Sequence, residues 1–389
     1  MSSRASSTAG STAPTWLTPP GCSDVLKYGG DGTLHRDLNK RVSEYFKREG
    51  LRRDGGWRMI AKSAVIVSWV ATTYVLLLTV ATEAWHFIAL AISMGLSLAC
   101  VGFSIQHDGG HGAYSNRRWV SKLAAFALDA IGGSSYMWHH KHNVLHHTYP
   151  NIEQVDDDIS QSPWLRLSTT DAYHPAHRYQ HVYSWLLYAL VTPKWIFVDD
   201  YRRMFTQRAG ARRVPPPRGK ELAKLFAGKA LAYSWMFITP LVVFGPSLAM
   251  LAVYGLIFWV WGLSLATTFQ LAHCNDIAEF GSWPRVGESI PMGWAEQQLA
   301  TTVNFSQDNR ALTWFLGGLN YQIEHHLFPK VCHLHYPAIS SIVAEVCAEH
   351  GAPYLVQPSM FEALRSHIAH LKRVGAGPSA TEAAPAVVG

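Results

Sequence analysis

Charge is scarce in this sequence: Asp, Glu, Lys and Arg make up 15% of its 389 residues, against 48% apolar residues. That balance is low in charge and high in apolar content for a water-soluble chain of this length. Cysteine is scarce as well. Cys22, Cys100, Cys274, Cys332 and Cys347 are odd in number, widely spaced and without a C-x-x-C pair. This argues against a disulfide scaffold and against a Cys-rich zinc or iron–sulfur site, and favours a reduced compartment. The first 20 residues are rich in Ser, Thr, Ala and Pro and lack an apolar stretch, so no secretory signal is visible in them. There is no G-x-G-x-x-G loop, no His-Pro-Gly-Gly haem motif and no H-E-x-x-H protease signature. The formal charge of +6 permits a nucleic-acid partner, but the basic residues flank apolar runs, and a bilayer accounts for them better.

Two long stretches are almost free of charge. From Ser63 to Ile105 the only formally charged residue is Glu83, and from Ala230 to Ala272 there is none. A helix needs about 20 residues to cross a bilayer core. Each stretch therefore holds two spans, at about 63–82 and 86–106, then 226–245 and 248–271. Glu83 marks the first bend, and Gly245-Pro246-Ser247 suits a tight reversal at the second. The bends contain no Lys or Arg, whereas Arg52, Arg53, Arg58, Lys62, Arg117, Arg118, Lys122, Arg212, Arg213, Arg218, Lys220 and Lys224 crowd the other ends. The positive-inside rule puts both termini and the large loops in the cytoplasm. The expectation is an all-α integral membrane protein: four spans in two hairpins beneath a cytoplasmic helical cap. One domain would cover 34–372, with disordered segments at 1–33 and 373–389. Leu123–Met137 and Trp185–Val198 are apolar but too short for clean spans, and are expected at the interface or packed on the bundle.

Histidine is abundant, at 20 residues. Three clusters stand out: His107-Asp-Gly-Gly-His111, His142-Asn-Val-Leu-His146-His147, and Gln322-Ile-Glu-His325-His326. A lone His273 ends the fourth span as His107 ends the second. On an α-helix, residues i and i+4 share a face, so His107 pairs with His111 and His142 with His146, while His147 is offset by about 100°. All four elements emerge on one side of the membrane. Eight histidines exceed the needs of one metal and suit two; imidazole alone fits Fe, Zn, Cu or Ni. Asp108, Asn151, Glu153, Asp156, Asp157, Asp158, Asp276 and Glu324 lie close by in sequence and are candidates to accept the second N–H of a ligand imidazole. His139, His140, His174, His177, His181, His333 and His335 are read mostly as surface or supporting residues, and Cys274 and Cys332 as packing.

These motifs resemble those of the membrane fatty acid desaturase family. The resemblance covers about Asp37 to Pro358. It rests on Gln106-His-Asp-Gly-Gly-His-Gly-Ala-Tyr-Ser, Lys141-His-Asn-Val-Leu-His-His-Thr-Tyr-Pro-Asn and Tyr321-Gln-Ile-Glu-His-His-Leu-Phe-Pro. The Gln opening the third box is similar to front-end desaturases, and the long second box to the linoleoyl-CoA desaturase-type branch common in bacteria, without a fused cytochrome b5 domain. The resemblance implies two iron ions held by His107, His111, His142, His146, His147, His273, His325 and His326, with Gln322 in the ninth place; no catalytic or cofactor-binding residue beyond these is implied. It implies desaturation of a fatty acyl chain on CoA or a lipid, with O2 as co-substrate leaving as two waters. Electrons would come from ferredoxin or cytochrome b5 through an NAD(P)H-dependent reductase. The membrane would be a bacterial inner membrane or, in a eukaryote, the endoplasmic reticulum. Tyr136, Trp138, Trp259 and Trp261 are candidate walls of the acyl tunnel. Two rivals remain open at this point: a diiron hydroxylase or ketolase of alkanes, sterols or carotenoids, and a non-catalytic metal transporter or sensor.

Overall fold

The computed structural model describes residues 27–377 except 154, 162, 210, 211 and 282–288. The expected terminal segments therefore fall mostly outside the described residues. Within them, Tyr28 pairs with Ile290 in an isolated bridge, a helix already runs from Thr33 to Arg48, and the last one continues to Gly375.

The architecture is helical, with two two-stranded ladders among the described residues: Arg208–Ala209 with Arg212–Arg213, and Asn304–Phe305 with Val356–Gln357. Four helices are long and apolar enough to cross a membrane: Gly56–Thr79, Ala84–His111, Lys220–Phe244 and Leu248–His273. They are taken below as the first to fourth spans. All four overlap the expected intervals. The first and third begin earlier than expected, because helical backbone continues through the charged residues that mark the bilayer edge. Large apolar side chains stay exposed along them, among them Ile60, Val67, Ile88, Val242 and Leu251. In water that surface would be costly; against acyl tails it is not.

The second span is the central helix and packs on both the first and the fourth. Its last turns are not regular: Val101–Gln106 is π-helical before His107–His111 resumes α geometry. A π-turn shifts the register of everything beyond it, and such turns gather at functional sites.

The two short apolar segments form helical hairpins packed against the spans. Arg118–Ala130 runs back along the end of the second span, so close that a Cβ on Gly109 would lie 2.4 Å from the backbone N of Ala125. Its tip is held where Trp235 of the third span donates to the Ala130 carbonyl. The chain then returns through Ser135–Trp138 and the π-helical His139–His146. Gln180–Ala189 likewise descends along the fourth span, where a Cβ on Gly262 would meet the Ala189 carbonyl at 2.5 Å. It turns near Pro193 and returns through Trp195–Asp199 and Asp200–Thr206. Lys229, buried in the third span, donates to the carbonyls of Gly132 (2.7 Å) and Ile196 (2.8 Å) and to Asp200 (2.8 Å). Three acceptors satisfy the three N–H bonds of a buried ammonium that would otherwise be expensive. This one side chain joins the tips of both hairpins.

Candidate metal centre and acyl cavity

The nine residues singled out from the three clusters and His273 meet in one buried group. The second span brings His107 and His111, the π-helix and its C-cap bring His142, His146 and His147, the end of the fourth span brings His273, and the short helix Gln322–Leu327 brings Gln322, His325 and His326. His107, His111, His142 and His325 place ligand nitrogens within 4.8 Å of one another; so do His146, His273 and His326, and so do His147, His325 and His326. The third group shares His325 with the first and His326 with the second, and so joins them. Ring centroids are 4.4 Å apart for His107–His325 and for His147–His326, and 4.7 Å for His146–His273.

The local geometry of the second cluster differs from the α-helical expectation. His147 N–H bonds to the His142 carbonyl at 2.9 Å, an i to i+5 step. The wider turn brings His147 around to the inner face with His142, whose Nε2 lies 3.2 Å from His147 Nε2. The glycines of the first cluster are steric requirements of the same packing. A Cβ on Gly110 would lie 2.2 Å from the Trp138 ring, and that ring stacks on His142 at 4.5 Å.

The donor set fits metal ions. His111, His146, His325 and His326 each leave Nε2 buried with no hydrogen-bond partner, and His147 leaves Nδ1 so. Unpaired buried nitrogens in this number would be costly in a site built only for packing. Four of the imidazoles are instead anchored through the other nitrogen. His146 Nδ1 donates to Asp156 (2.9 Å), His273 Nδ1 to the Thr301 carbonyl (3.2 Å), His325 Nδ1 to the Tyr336 hydroxyl (3.2 Å) and His326 Nδ1 to Gln298 Oε1 (2.9 Å). Fixing one N–H leaves the other lone pair directed at a metal. Gln322 lies with its Nε2 2.9 Å from His273 Nε2.

Burial, reinforced by neighbouring imidazoles, holds His142, His147, His325 and His326 well below the ordinary histidine range, in the neutral form a metal needs. Burial pulls His146 down as well, but Asp156 outweighs it and the net shift is upward.

The supporting residues differ from those chosen by proximity in sequence. Asp108 accepts from His333 Nδ1 (2.9 Å), whose Nε2 meets Lys62 Nζ (2.8 Å). Asn151 donates to the carbonyls of His273 and Glu279 and so shapes the loop rather than an imidazole. Asp157 pairs with Arg203 at 2.8 Å. Glu324 accepts from Tyr354 and Asn304, and burial pushes it up to about 7. Glu153 and Asp276 bond to Ser168 and Ser366, and Asp158 pairs with Lys141. Of the carboxylates named, Asp156 is the one that bonds a cluster imidazole, with Asp158 lying farther off at 3.8 Å. His177 and His333, read as surface or supporting residues, are buried. Gln298, Thr301 and Tyr336 were not anticipated, since no motif marks them.

A cavity of about 750 Å³ opens onto the cluster, and His107, His142 and Gln322 line it. Its remaining wall is largely apolar, including Phe103, Leu128, Ile131, Trp261 and Leu265. Trp138 and Trp261 lie in that wall as expected. Tyr136 instead bonds the Pro215 carbonyl, and Trp259 points outward at 53% exposure.

The fatty acid desaturase family profile matches residues 83–358. The chain is 36% identical over 353 residues to the sn-1 linoleoyl-lipid 6-desaturase of Arthrospira platensis, covering 91% of this chain and 95% of that one. It is 39% identical over 342 residues to the acyl-lipid (8-3)-desaturase of Physcomitrium patens, covering 87% and 71%. With the sn-1 linoleoyl-lipid 6-desaturase of Synechocystis sp. it shares 31% over 361 residues, covering 90% and 98%.

Proposed function

Because this chain belongs to the fatty acid desaturase family, we propose that its buried histidines hold two irons and that these introduce a double bond on the carboxyl side of an existing one. The enzyme is an oxidoreductase that desaturates a fatty acyl chain. The assignment of His107, His111, His142, His146, His147, His273, His325 and His326 as ligands, with Gln322 beside them, rests on their convergence and on the unpartnered nitrogens. When bound, the iron pair supplies the O2-dependent oxidising power that removes two hydrogens from adjacent CH2 groups.

The observation that carries this reading is the cavity. Its volume of about 750 Å³ suits a lipid-sized ligand. Its apolar wall holds an acyl chain by excluding water, and its polar end is formed by His107, His142 and Gln322. Trp138, stacked on His142 and edge-on to His107, narrows the wall at that point and positions the chain. A linoleoyl chain esterified to a lipid is the substrate favoured by the two cyanobacterial relatives, which are named for it. The spans are read as two hairpins with both termini and the cap in the cytoplasm, where ferredoxin or cytochrome b5, fed by an NAD(P)H-dependent reductase, delivers electrons.

The purified protein tests this reading. It is expected to bind about two irons per chain and to desaturate linoleoyl-lipid in vesicles only when a reductase and ferredoxin or cytochrome b5 are added. Turnover with NAD(P)H alone contradicts the external donor, and stable zinc with no iron uptake contradicts the diiron assignment.

A further inference from the structure

The short strands Arg208–Ala209 and Arg212–Arg213 pair antiparallel, with Arg208 opposite Arg213 and Ala209 opposite Arg212. Residues that face each other across a ladder point to the same side, and neighbours along a strand alternate. One side of this ladder is turned inward. Ala209 is buried in a small apolar cluster with Met137 and Leu145, and the Arg212 guanidinium lies 6.0 Å from the centre of the Tyr149 ring. The other side carries Arg208 and Arg213 next to each other, both exposed. Neither is part of an ion pair among the described residues; Arg203 and Lys224, before and after them in the chain, pair with Asp157 and Glu221. Like charges directly opposite each other across a ladder cost stability. An external anion offsets that cost.

This basic face covers the second histidine cluster. Leu145 precedes His146, and Tyr149, under Arg212, follows His147 by two residues. Beyond Tyr149 the cover is aromatic. Tyr28 stacks on Tyr149 at 6.1 Å and its hydroxyl donates to the Thr148 carbonyl. Trp294 Nε1 donates to the His147 carbonyl (3.3 Å), and its ring meets that of His35 at 4.9 Å. Trp294 and His35 are only half-buried. A single side chain, Trp294, thus runs from the backbone of a proposed ligand to the surface. It is held firmly: its helix, Trp294–Thr301, also brings Gln298 to His326 and the Thr301 carbonyl to His273. Charge near Trp294 is mixed, with Arg36 bonded to the Asp31 carbonyl and Glu296 acting on His35. The net attraction for an anion therefore comes from the arginine ladder.

Resting on the desaturase reading above, we propose that a small acidic one-electron carrier docks on this face, its carboxylates gripped by Arg208 and Arg213, and that its electron enters over Trp294 to His147. Guanidinium forks suit carboxylates, and charge complementarity orients and speeds such encounters. Each encounter oxidises the carrier by one electron and reduces the metal centre by one, with no bond made or broken on the protein. Two encounters supply the two electrons that the reaction takes from outside. With two protons from solvent and the two hydrogens of the chain, they complete the reduction of one O2 to two waters.

Two measurements test this on the iron-loaded enzyme in phosphatidylcholine nanodiscs, with a [2Fe–2S] ferredoxin as the acidic carrier. The first is binding. In the Arg208→Gln/Arg213→Gln variant the Kd is expected to rise by about tenfold or more at low ionic strength. The difference is expected to vanish at high salt, and Arg208→Lys/Arg213→Lys to restore most of the affinity. The second is the rate at which bound, reduced ferredoxin reduces the metal centre, followed by stopped-flow absorbance. Trp294→Leu is expected to bind ferredoxin as the wild type does but to pass the electron about tenfold more slowly, and Trp294→Phe to recover the rate. Unchanged affinity in the arginine variant overturns the proposal, and so does a loss of binding to anionic phosphatidylglycerol vesicles alone, which would assign the arginines to the membrane surface. Trp294→Leu reducing as fast as the wild type would put the entry point elsewhere. Binding needs no turnover. A salt-sensitive loss in the arginine variant, with no double bond formed on any acyl chain, would leave the docking face in place and count against the desaturase reading alone.

Discussion

At the residue scale, the proposed metal centre depends on what holds the far side of each ring. Asp156 fixes His146 through Nδ1, both groups being fully buried, so the lone pair on Nε2 keeps one direction. Asp156→Ala is expected to weaken iron retention about 10–100-fold without removing a proposed ligand; chelator competition on the purified protein measures it, and unchanged retention would show that packing alone orients the ring. Glu324 offers a test with a definite sign. Its carboxyl is raised to about 7 in the folded chain from the ordinary 4.5, with burial the largest cause. Between those values the folded state holds a proton that the unfolded state has lost, so the contribution of Glu324 to stability falls as pH rises from about 4.5 to about 7. Glu324→Gln removes that dependence. Its stability relative to the wild type is expected to climb across the same window in denaturation runs, and a flat difference would contradict the protonated carboxyl. The proposed ligands were legible in the sequence because histidines recur at helical spacing in three separate clusters. Their supports were not. Gln298, Thr301 and Tyr336 approach the rings only through folding, and Asp108, next to a cluster histidine in sequence, turns away to His333.

At the scale of elements, the four long apolar helices were legible because charge-free runs long enough for two crossings are rare outside a bilayer. Their geometry near the site was not. Both π-helical stretches, Val101–Gln106 and His139–His146, sit where an α-helical wheel was assumed, and the second of them turns His147 inward. Nothing in the residue pattern of a π-turn sets it apart from an α-turn. The two hairpins packed on the spans were visible only as apolar segments too short to cross. What locks them is glycine at points of close approach. Gly109→Ala would drive a Cβ into the backbone of Ala124 and Ala125, which cannot yield as a side-chain end can. The expected cost is about 1–3 kcal/mol, read as a lower thermal midpoint together with weaker iron binding, since His107 and His111 flank the displaced turn. A variant as stable as the wild type would mean that the helix Arg118–Ala130 shifts freely.

For the whole molecule, the four long helices, the hairpins packed on them and the short helices beyond their ends each contribute one wall to a single enclosure. The second and fourth spans bring His107 and His273 to one level; the hairpins close the cavity between them, with Lys229 tying both tips. In the proposed reading, function follows from that enclosure: water is kept from an apolar chain whose reacting carbons would lie beside the proposed metal centre. The most direct measurement is gas chromatography–mass spectrometry of fatty acids from cells that express the protein with ferredoxin or cytochrome b5 and are fed linoleate. The expected result is a new double bond on the carboxyl side of the existing pair, absent from cells expressing His325→Ala at equal membrane levels. A hydroxylated product, a double bond on the methyl side, or the same product from His325→Ala would contradict a diiron front-end desaturase.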